Sequence, residues 1–131
     1  MVKLTPAQRK LIEDPNLAHV ATLMKDGSPQ VTPVWVDCDD THILINTAEG
    51  RQKPRNLQRD ARIALSIAAQ DDQQMYIQIR GRVVEFVHEG AYDHVCKVGR
   101  KYWGPDFVYP KRPGETRVIL RIEPESITGR A

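Results

Sequence analysis

Five basic residues fall within twelve positions of the segment NTAEGRQKPRNLQRDAR, which starts at Asn46: Arg51, Lys53, Arg55, Arg59 and Arg62. The first three alternate at the point where a predicted strand meets a predicted helix. Backbone N–H groups at a helix start favour an anion, and Arg adds a planar fork of donors while Lys adds a point charge. The residue types alone leave two interpretations open. The segment either holds a phosphate of a nucleotide-like ligand or forms a solvated helix face.

Other kinds of site chemistry find little support in the sequence. Ser28 and Ser66 lie outside any G-x-S-x-G context, and Cys38 and Cys96 stand in separate segments without a CxxC pair. The four histidines are scattered, with no pair at metal-ligand spacing. Acidic residues cluster in turn-like stretches such as DCDD and QDDQ, where turn chemistry explains them. We therefore predict no catalytic side chain and no metal site.

Length and charge restrict the classes of protein further. The 131 residues, 14.9 kDa, suit one domain spanning positions 1–131. A net charge of +2 is too small for capture of nucleic acid by the whole surface, so an anion site has to be local. The chain has neither an apolar signal core nor a run near the roughly 20 apolar residues of a membrane span. With two isolated cysteines, which we expect to be reduced, these features predict a soluble cytoplasmic protein.

Local signals define the elements around the basic segment. Thr5, Pro6 and Gln8 form a capping-box signature that predicts a short helix ending before Pro15. The pair Asp26-Gly27 predicts a tight hairpin turn between two apolar segments. A further helix is predicted over residues 89–103, followed by a loop rich in glycine and proline.

The alternation of apolar and polar residues predicts six strands, at about 17–24, 29–38, 42–48, 62–70, 75–87 and 116–124. The first three are expected to form a meander. In the last strand Val118, Leu120 and Ile122 share one face, and Arg117 and Arg121 lie on the other. So many closely spaced strands favour a small, mainly antiparallel barrel, in which closure removes exposed strand edges.

The order of segments adds a more specific signal. The matching stretches are ATL..DG.PQ, the following V.PVW, the run N-T-A-x-G-R-x-K-x-R-N-L-x-R-D-x-R-x-A-L, the strand I-x-G-R-V and the terminal RVILRIEP. Together they cover roughly positions 4 to 129. This pattern resembles the pyridoxamine-phosphate-oxidase-like split β-barrel superfamily. Within it, the chain is most similar to the oxidoreductases that use the deazaflavin coenzyme F420.

The resemblance implies a mainly β, six-stranded split β-barrel with two or three short helices. It also implies a homodimer with two cofactor clefts at the subunit interface. Residues implied in cofactor binding fall into three groups. Arg51 and Lys53, with Gln52 between them, lie at the cofactor phosphate, beside Asn46, Thr47 and Ala48. The strand carrying Thr32, Pro33, Val34 and Trp35 backs the ring system, and the partner subunit contributes from Tyr76 and Gln78.

Some of these side chains also have simpler explanations. Trp35 is equally explained by core packing and Tyr76 by cross-strand pairing. Arg59 and Arg62 are expected on a solvated helix face, and Arg55 is left open between that face and the cofactor tail.

The activity implied by the resemblance is hydride transfer from reduced F420 to a conjugated unsaturated acceptor, such as a quinone, a tetrapyrrole or an enone. The coenzyme carries that chemistry, which explains why no catalytic constellation is visible. The aromatic residues Tyr102, Trp103, Phe107 and Tyr109 either border the acceptor pocket or cover the barrel end and the dimer interface.

Three alternatives stay open at this point. An FMN-binding oxidoreductase of the same fold has a similar phosphate clamp. A non-catalytic carrier of flavin, deazaflavin or haem has the same backbone-built site. A pyridoxamine oxidase fits less well, because its substrate-phosphate residues find no clear match, and a nucleic-acid module is disfavoured by the small net charge.

Overall fold

A computed structural model describes residues 2–131. Three helices are present: α1 (Pro6–Glu13), α2 (Gln52–Arg59) and α3 (Ala91–Trp103). Seven strands accompany them: β1 (Ala18–Leu23), β2 (Pro29–Val34), β3 (Asp37–Cys38), β4 (Ile43–Ala48), β5 (Arg62–Ala68), β6 (Tyr76–Val87) and β7 (Arg117–Gly129).

The local signals at the start of the chain are confirmed. The Thr5 side chain accepts a hydrogen bond from the Gln8 backbone N–H, and the Gln8 side chain accepts one from Thr5 N–H. This reciprocal capping box, with Pro6 in the first turn, fixes where α1 begins. Asp26 and Gly27 form the turn between β1 and β2, where Gly27 takes a φ of 86° that a residue with a side chain rarely adopts.

The seven strands form one antiparallel sheet in the order β2-β1-β5-β6-β7-β4-β3. β2 and β3 lie at opposite ends of this order, yet only Trp35 and Val36 separate them in the chain. The sheet must therefore curl until its two ends meet, which confirms the predicted split β-barrel. β3 pairs with only Ile43 and Leu44, so the rest of β4 has no strand partner on the side facing β2. The split in the barrel lies there.

Two details of the predicted strands are wrong. The segment predicted as one strand over 29–38 is interrupted at Trp35 and Val36, which turn the chain from one end of the sheet to the other. The count is therefore seven strands, and the expected three-stranded meander is two separate hairpin pairs, β1 with β2 and β3 with β4. The last strand also continues beyond the predicted boundary, to Gly129, because β6 is long enough to pair with it.

The core is built from the inward faces of the strands. Val118, Leu120 and Ile122 of β7 are fully buried, as their alternation predicts. Leu120 and Ile122 belong to one core cluster with isoleucines of β4 and β6. α3 lies against the outer face of β4 and β7 and buries Val95 and Val98 there. Aliphatic side chains thus fill the interior of the barrel, and a second, smaller apolar layer lies between α3 and the sheet.

Among residues 2–131, no helix is both long enough and apolar enough to cross a membrane.

Candidate functional site

A cleft of about 280 Å³ opens at the split of the barrel, between the ends of the sheet and α3. Its lining comes from six parts of the chain: Leu17; Pro33, Val34 and Trp35; Leu44 and Asn46; Arg51; His94, Val95 and Val98; and Tyr109 and Arg117. Pro33, Val34, Trp35, Asn46 and Arg51 were all expected at one site from the sequence. The fold brings them together because β2 and β4 face each other across the split.

Lys53 lies on the first turn of α2 and reaches across the split, where its Nζ donates a hydrogen bond to Thr32 Oγ1. The side chain is half-buried. Burial, together with the nearby positive charge of Arg51, lowers the pKa of Lys53 below its ordinary 10.5. Among residues 2–131 no carboxylate lies within ion-pair distance of Lys53. Lys53 and Thr32 lie beside Arg51 rather than in the lining of the cleft itself. Next to the cleft, Lys53 is a partly desolvated cation without a counter-charge, which favours an anion.

Arg51 stands at the N-cap of α2, beside Lys53. Its guanidinium is half exposed and lies 3.5 Å from a carboxylate oxygen of Glu115. This contact leaves the guanidinium at the cleft, and the half-exposed side chain can exchange Glu115 for an incoming anion.

Gln52 does not join the cleft lining. Its amide nitrogen donates to Asn56, and its amide oxygen accepts a hydrogen bond from Arg55. Both contacts run along α2, because positions three and four residues apart share a helix face. Arg55 is exposed and bonded to Gln52 in the same way.

The two remaining basic residues of the segment make contacts outside the cleft. Arg59 donates to the backbone oxygen of Leu23, and Arg62 pairs with Asp60 at 2.7 Å. Both side chains lie at the exposed end of α2 and the start of β5, consistent with their predicted place on a solvated surface.

Thr47 points into the barrel and Ala48, one position on, points to the outer face; both are buried, at 4% and 3% exposure, and neither side chain lines the cleft. Only their backbone groups can face the cleft. Thr47 and Ala48 belong to the part of β4 that lacks a strand partner on the side of β2. A ligand in the split would therefore meet backbone donors and acceptors here rather than side chains.

Tyr76 and Gln78 do not line the cleft of their own chain. They lie on the outer face of β6, opposite Ala68 and Ser66 of β5, and both are exposed. The family resemblance implies that they reach a partner's cleft, and this role stays a prediction.

A polar wall that the sequence did not predict lines the side of the cleft under α3. Arg117, only 8% exposed, donates to the Asn46 side-chain oxygen from Nε at 3.0 Å and from Nη2 at 2.8 Å. The Asn46 amide nitrogen donates to Ala91 O and to His94 Nδ1. His94 Nε2 in turn lies 3.0 Å from an oxygen of Asp37.

This network assigns the histidine tautomer. Arg117 can only donate and Ala91 O can only accept, so the orientation of the Asn46 amide is unambiguous. His94 Nδ1 must then accept, and the proton sits on Nε2, where it is donated to Asp37. Burial raises the pKa of Asp37, but the hydrogen bond from His94 and other nearby donors and cations outweigh it and hold that pKa below 3.8.

Arg117 also connects the wall to the loop before β7. Its Nη1 lies 3.0 Å from Glu115 and 3.1 Å from the Tyr109 hydroxyl. Burial raises the pKa of Glu115, yet the charges and hydrogen bonds of Arg117, Arg51 and Arg112 lower it overall. The buried arginine is therefore neutralised by Glu115, and it fixes Tyr109 at the cleft.

Aromatic side chains form the opposite wall. Trp35 stacks on Tyr102, with ring centroids 5.5 Å apart and planes 10° apart, and meets Trp103 and Phe107 edge-on. The Tyr102 hydroxyl donates to Asn16 O and accepts from Val36 N–H, and burial raises its pKa to about 12. Tyr102 thus holds Trp35 in place, whereas Trp103 is 71% exposed.

Sequence reasoning missed Arg117, His94 and Asp37 as parts of the site. The alternation in β7 puts Arg117 on the outer face, where a charge is usually solvated. Nothing local indicates that α3 covers this face. The one signal in the sequence was His94, a histidine near the buried face of a predicted helix. Such a residue does not indicate a site unless the fold is known.

The chain is a split-barrel protein whose cleft carries Arg51 and Arg117, and comparison with known proteins agrees with the split-barrel fold. Residues 4–131 match the family described as pyridoxamine 5'-phosphate oxidase, and the chain belongs to that family. It is thereby placed in a superfamily of flavin- and deazaflavin-binding oxidoreductases. A search of curated proteins found no match.

Solved structures of the same fold include an F420 reductase, 28% identical, with a TM-score of 0.85 over 95% of this chain and 98% of that chain. A conserved hypothetical protein of Mycobacterium tuberculosis is 24% identical, with a TM-score of 0.74 over 95% of this chain and 82% of that one. HupZ of Group A Streptococcus is 23% identical, with a TM-score of 0.66 over 95% and 91%. The last two support the fold alone.

Proposed function

We propose that the protein is an F420-dependent oxidoreductase that transfers a hydride from the reduced deazaflavin to a conjugated unsaturated acceptor, such as a quinone, a tetrapyrrole or an enone. The observation that carries the proposal is Lys53, a half-buried cation without a carboxylate partner beside Arg51 at the split of the barrel. The likeness to an F420 reductase over 95% of the chain supports the choice of coenzyme.

The residues at the cleft fit both the phosphate and the ring system of such a coenzyme. Arg51 and Lys53 would hold the phosphate, since a charge-assisted hydrogen bond compensates the desolvation that now lowers the Lys53 pKa. The apolar surface of Pro33, Val34 and Trp35 would back the flat ring system. The backbone edge of Asn46, Thr47 and Ala48 would supply hydrogen bonds to its polar rim.

When bound, the deazaflavin supplies the hydride chemistry. The protein's own residues bind, orient and shield. The Trp35 wall excludes water from one side of the cleft, and the buried valines of α3 do so on the other side, which the Asn46–Arg117 pair holds rigid. Trp103 and Phe107 pack edge-on against Trp35 of the cleft lining, and the exposed ring of Trp103 would offer an aromatic face for a flat acceptor.

The proposal includes a homodimer in the cytoplasm, with a cleft at each end of the subunit interface. Tyr76 and Gln78 project from the outer face of β6 and would reach the partner's cleft. The neighbouring strand β5 carries small residues, such as Ala64 and Ser66, next to Tyr76 and Gln78. Their small size allows close approach of a second sheet. Sedimentation should give a species of twice 14.9 kDa. A monomer at micromolar concentration would contradict the shared cleft.

FMN is the second candidate, favoured by the match to the pyridoxamine 5'-phosphate oxidase family. A clamp of Arg and Lys serves the phosphate of either coenzyme, so the clamp does not discriminate. Titration of the purified protein with F420 and, separately, with FMN, followed by fluorescence, distinguishes them. We expect micromolar binding of F420 and much weaker binding of FMN. Tight binding of FMN alone would overturn the choice of deazaflavin.

A carrier binds the coenzyme without turnover. Oxidation of reduced F420 should therefore be followed with a panel of quinones, tetrapyrroles and enones. Acceptor-dependent oxidation supports an enzyme, and binding without turnover across the whole panel supports a carrier.

A further inference from the structure

The hydroxyl of Tyr109 has an unusual set of partners. Its oxygen accepts one hydrogen bond from Arg112 Nη1 and another from Arg117 Nη1, both at 3.1 Å. A phenolic oxygen has two acceptor lone pairs and one proton to donate. Among residues 2–131, Tyr109 forms no hydrogen bond in which its hydroxyl is the donor. Tyr109 lines the cleft, so this unassigned proton is available to a ligand there.

We infer that Tyr109 is the general acid of the site, donating its hydroxyl proton to the acceptor while that acceptor is reduced in the cleft. The inference rests on the proposed function, because the reduction of a conjugated carbonyl needs a proton as well as a hydride.

The charged groups around the hydroxyl favour loss of its proton. Arg51 faces it from the start of α2, Arg112 and Glu115 from the loop, and Arg117 from β7. Burial raises the pKa of Tyr109, and the negative charge of Glu115 acts in the same direction. The three guanidinium groups outweigh both, so that the pKa lies below its ordinary 10.0. An acid whose anion is stabilised in advance transfers its proton more readily.

The ring is also held in place. The Arg117 guanidinium lies over it at 4.5 Å from the centroid, and the Phe107 ring meets it edge-on at 6.4 Å. The backbone oxygen of Tyr109 accepts a hydrogen bond of 2.6 Å from the Tyr92 hydroxyl on α3. A proton donor needs a defined position, and these contacts provide one although Tyr109 lies on a loop.

Reduction of an enone or quinone acceptor adds a hydride and a proton to it. The coenzyme held by Arg51 and Lys53 would supply the hydride, with the electron pair of the C–H bond that breaks in it. The new C–H bond would form at the electron-poor carbon of the acceptor, and the π electron pair would move to the carbonyl oxygen. The O–H bond of Tyr109 breaks as its proton passes to that oxygen or to the conjugated carbon. The acceptor gains two electrons and two hydrogens, and the phenolate left beside Arg51, Arg112 and Arg117 is reprotonated by water.

Tyr109→Phe tests the inference, with Val108→Ala as the matched control because Val108 is a 64% exposed neighbour in the same loop. The first readout needs no coenzyme. Tyrosinate absorbance of the wild-type protein should show one tyrosine ionising below pH 10.0, absent from Tyr109→Phe and retained in Val108→Ala. If the variant and the wild type titrate alike, Tyr109 is not the low-pKa phenol and the inference is wrong.

The second readout is turnover at saturating F420. We expect kcat of Tyr109→Phe to fall by about 10²- to 10⁴-fold, and the loss of activity at alkaline pH to disappear with it. F420 affinity is titrated separately, because the hydroxyl lies beside Arg51. An unchanged kcat and pH profile would overturn the inference while leaving the proposed function intact. If the wild-type protein fails to bind F420, the proposed function fails, and the assignment of Tyr109 as general acid fails with it.

Discussion

The side-chain oxygen of Asn46 accepts two hydrogen bonds from the guanidinium of Arg117, at 3.0 and 2.8 Å, across the ladder between β4 and β7. The two residues are 71 positions apart in the chain. The sequence predicted Asn46 at the cleft but did not predict Arg117. Their hydrogen bonds hold one end of the polar wall, which continues through His94 to Asp37.

Replacing Asn46 should destabilise the fold. In Asn46→Ala the nearly buried Arg117 loses two acceptors, and we expect the free energy of unfolding to fall by about 1 to 3 kcal/mol. Denaturant unfolding measures this change. Gln58→Ala, which removes an exposed amide from α2, should stay within about 0.5 kcal/mol of wild type. Equal stability of both variants would mean that the pair contributes nothing.

Lys53→Ala should weaken coenzyme binding without unfolding the protein. A lost hydrogen bond to a charged group costs about 1.5 to 3 kcal/mol, read as a rise in the F420 dissociation constant. Arg55→Ala is the control, because Arg55 is exposed and, within residues 2–131, its side chain hydrogen-bonds only to Gln52. Unchanged affinity of Lys53→Ala would disprove the phosphate clamp.

The same lysine predicts a pH dependence of binding. Burial and Arg51 lower the pKa of Lys53, so its charge is lost as the pH rises through a value below 10.5. Affinity for the anionic coenzyme should therefore decline in that alkaline range in the wild-type protein, and this component of the decline should be absent from Lys53→Ala. Titrations with F420 at several pH values measure how the dissociation constant changes with pH in the wild-type protein and in Lys53→Ala.

Asp37 should contribute to the free energy of unfolding in a way that depends on pH. Its folded pKa lies below the ordinary 3.8, so the contribution is complete above that value and disappears as the pH falls through the folded pKa. Asp37→Asn should thus be less stable than wild type near neutral pH, and the difference should narrow below about pH 3.8. Denaturation series at both pH values measure it. A difference that is constant with pH would show that the carboxylate charge is not the cause.

Gly99 lets the loop before β7 close over α3. A Cβ at this position would lie 2.3 Å from the Phe107 ring and 3.1 Å from the Trp35 ring. Gly99→Ala should therefore push Phe107 outward, cost about 1 to 3 kcal/mol in stability and widen the cleft mouth, raising KM for the acceptor.

The double variant Gly99→Ala with Phe107→Ala removes this clash. Its loss of stability should be smaller than the sum of the two single losses, because the residues touch. Strict additivity would indicate that the two residues do not interact.

Local sequence patterns determined much of the fold and part of the site. The capping box at Thr5 and Gln8, the turn at Gly27 and the alternation in β7 each depend on residues a few positions apart, and local sterics and hydrogen bonding suffice to set them. Lys53 could be placed near a strand-to-helix junction for the same reason. The interruption at Trp35 could not be foreseen, since its apolar neighbours read as one continuous strand.

Only the tertiary structure decided which part of the outer face of β7 is covered by other segments. Arg117 and Arg121 alternate identically in β7, yet α3 and the loop before β7 bury Arg117 over Asn46 and leave Arg121 partly exposed. That difference depends on packing between segments far apart in the chain, which no local pattern encodes. The contact of Lys53 with Thr32 across the split, 21 residues away, arises in the same way, because it requires the two ends of the sheet to meet.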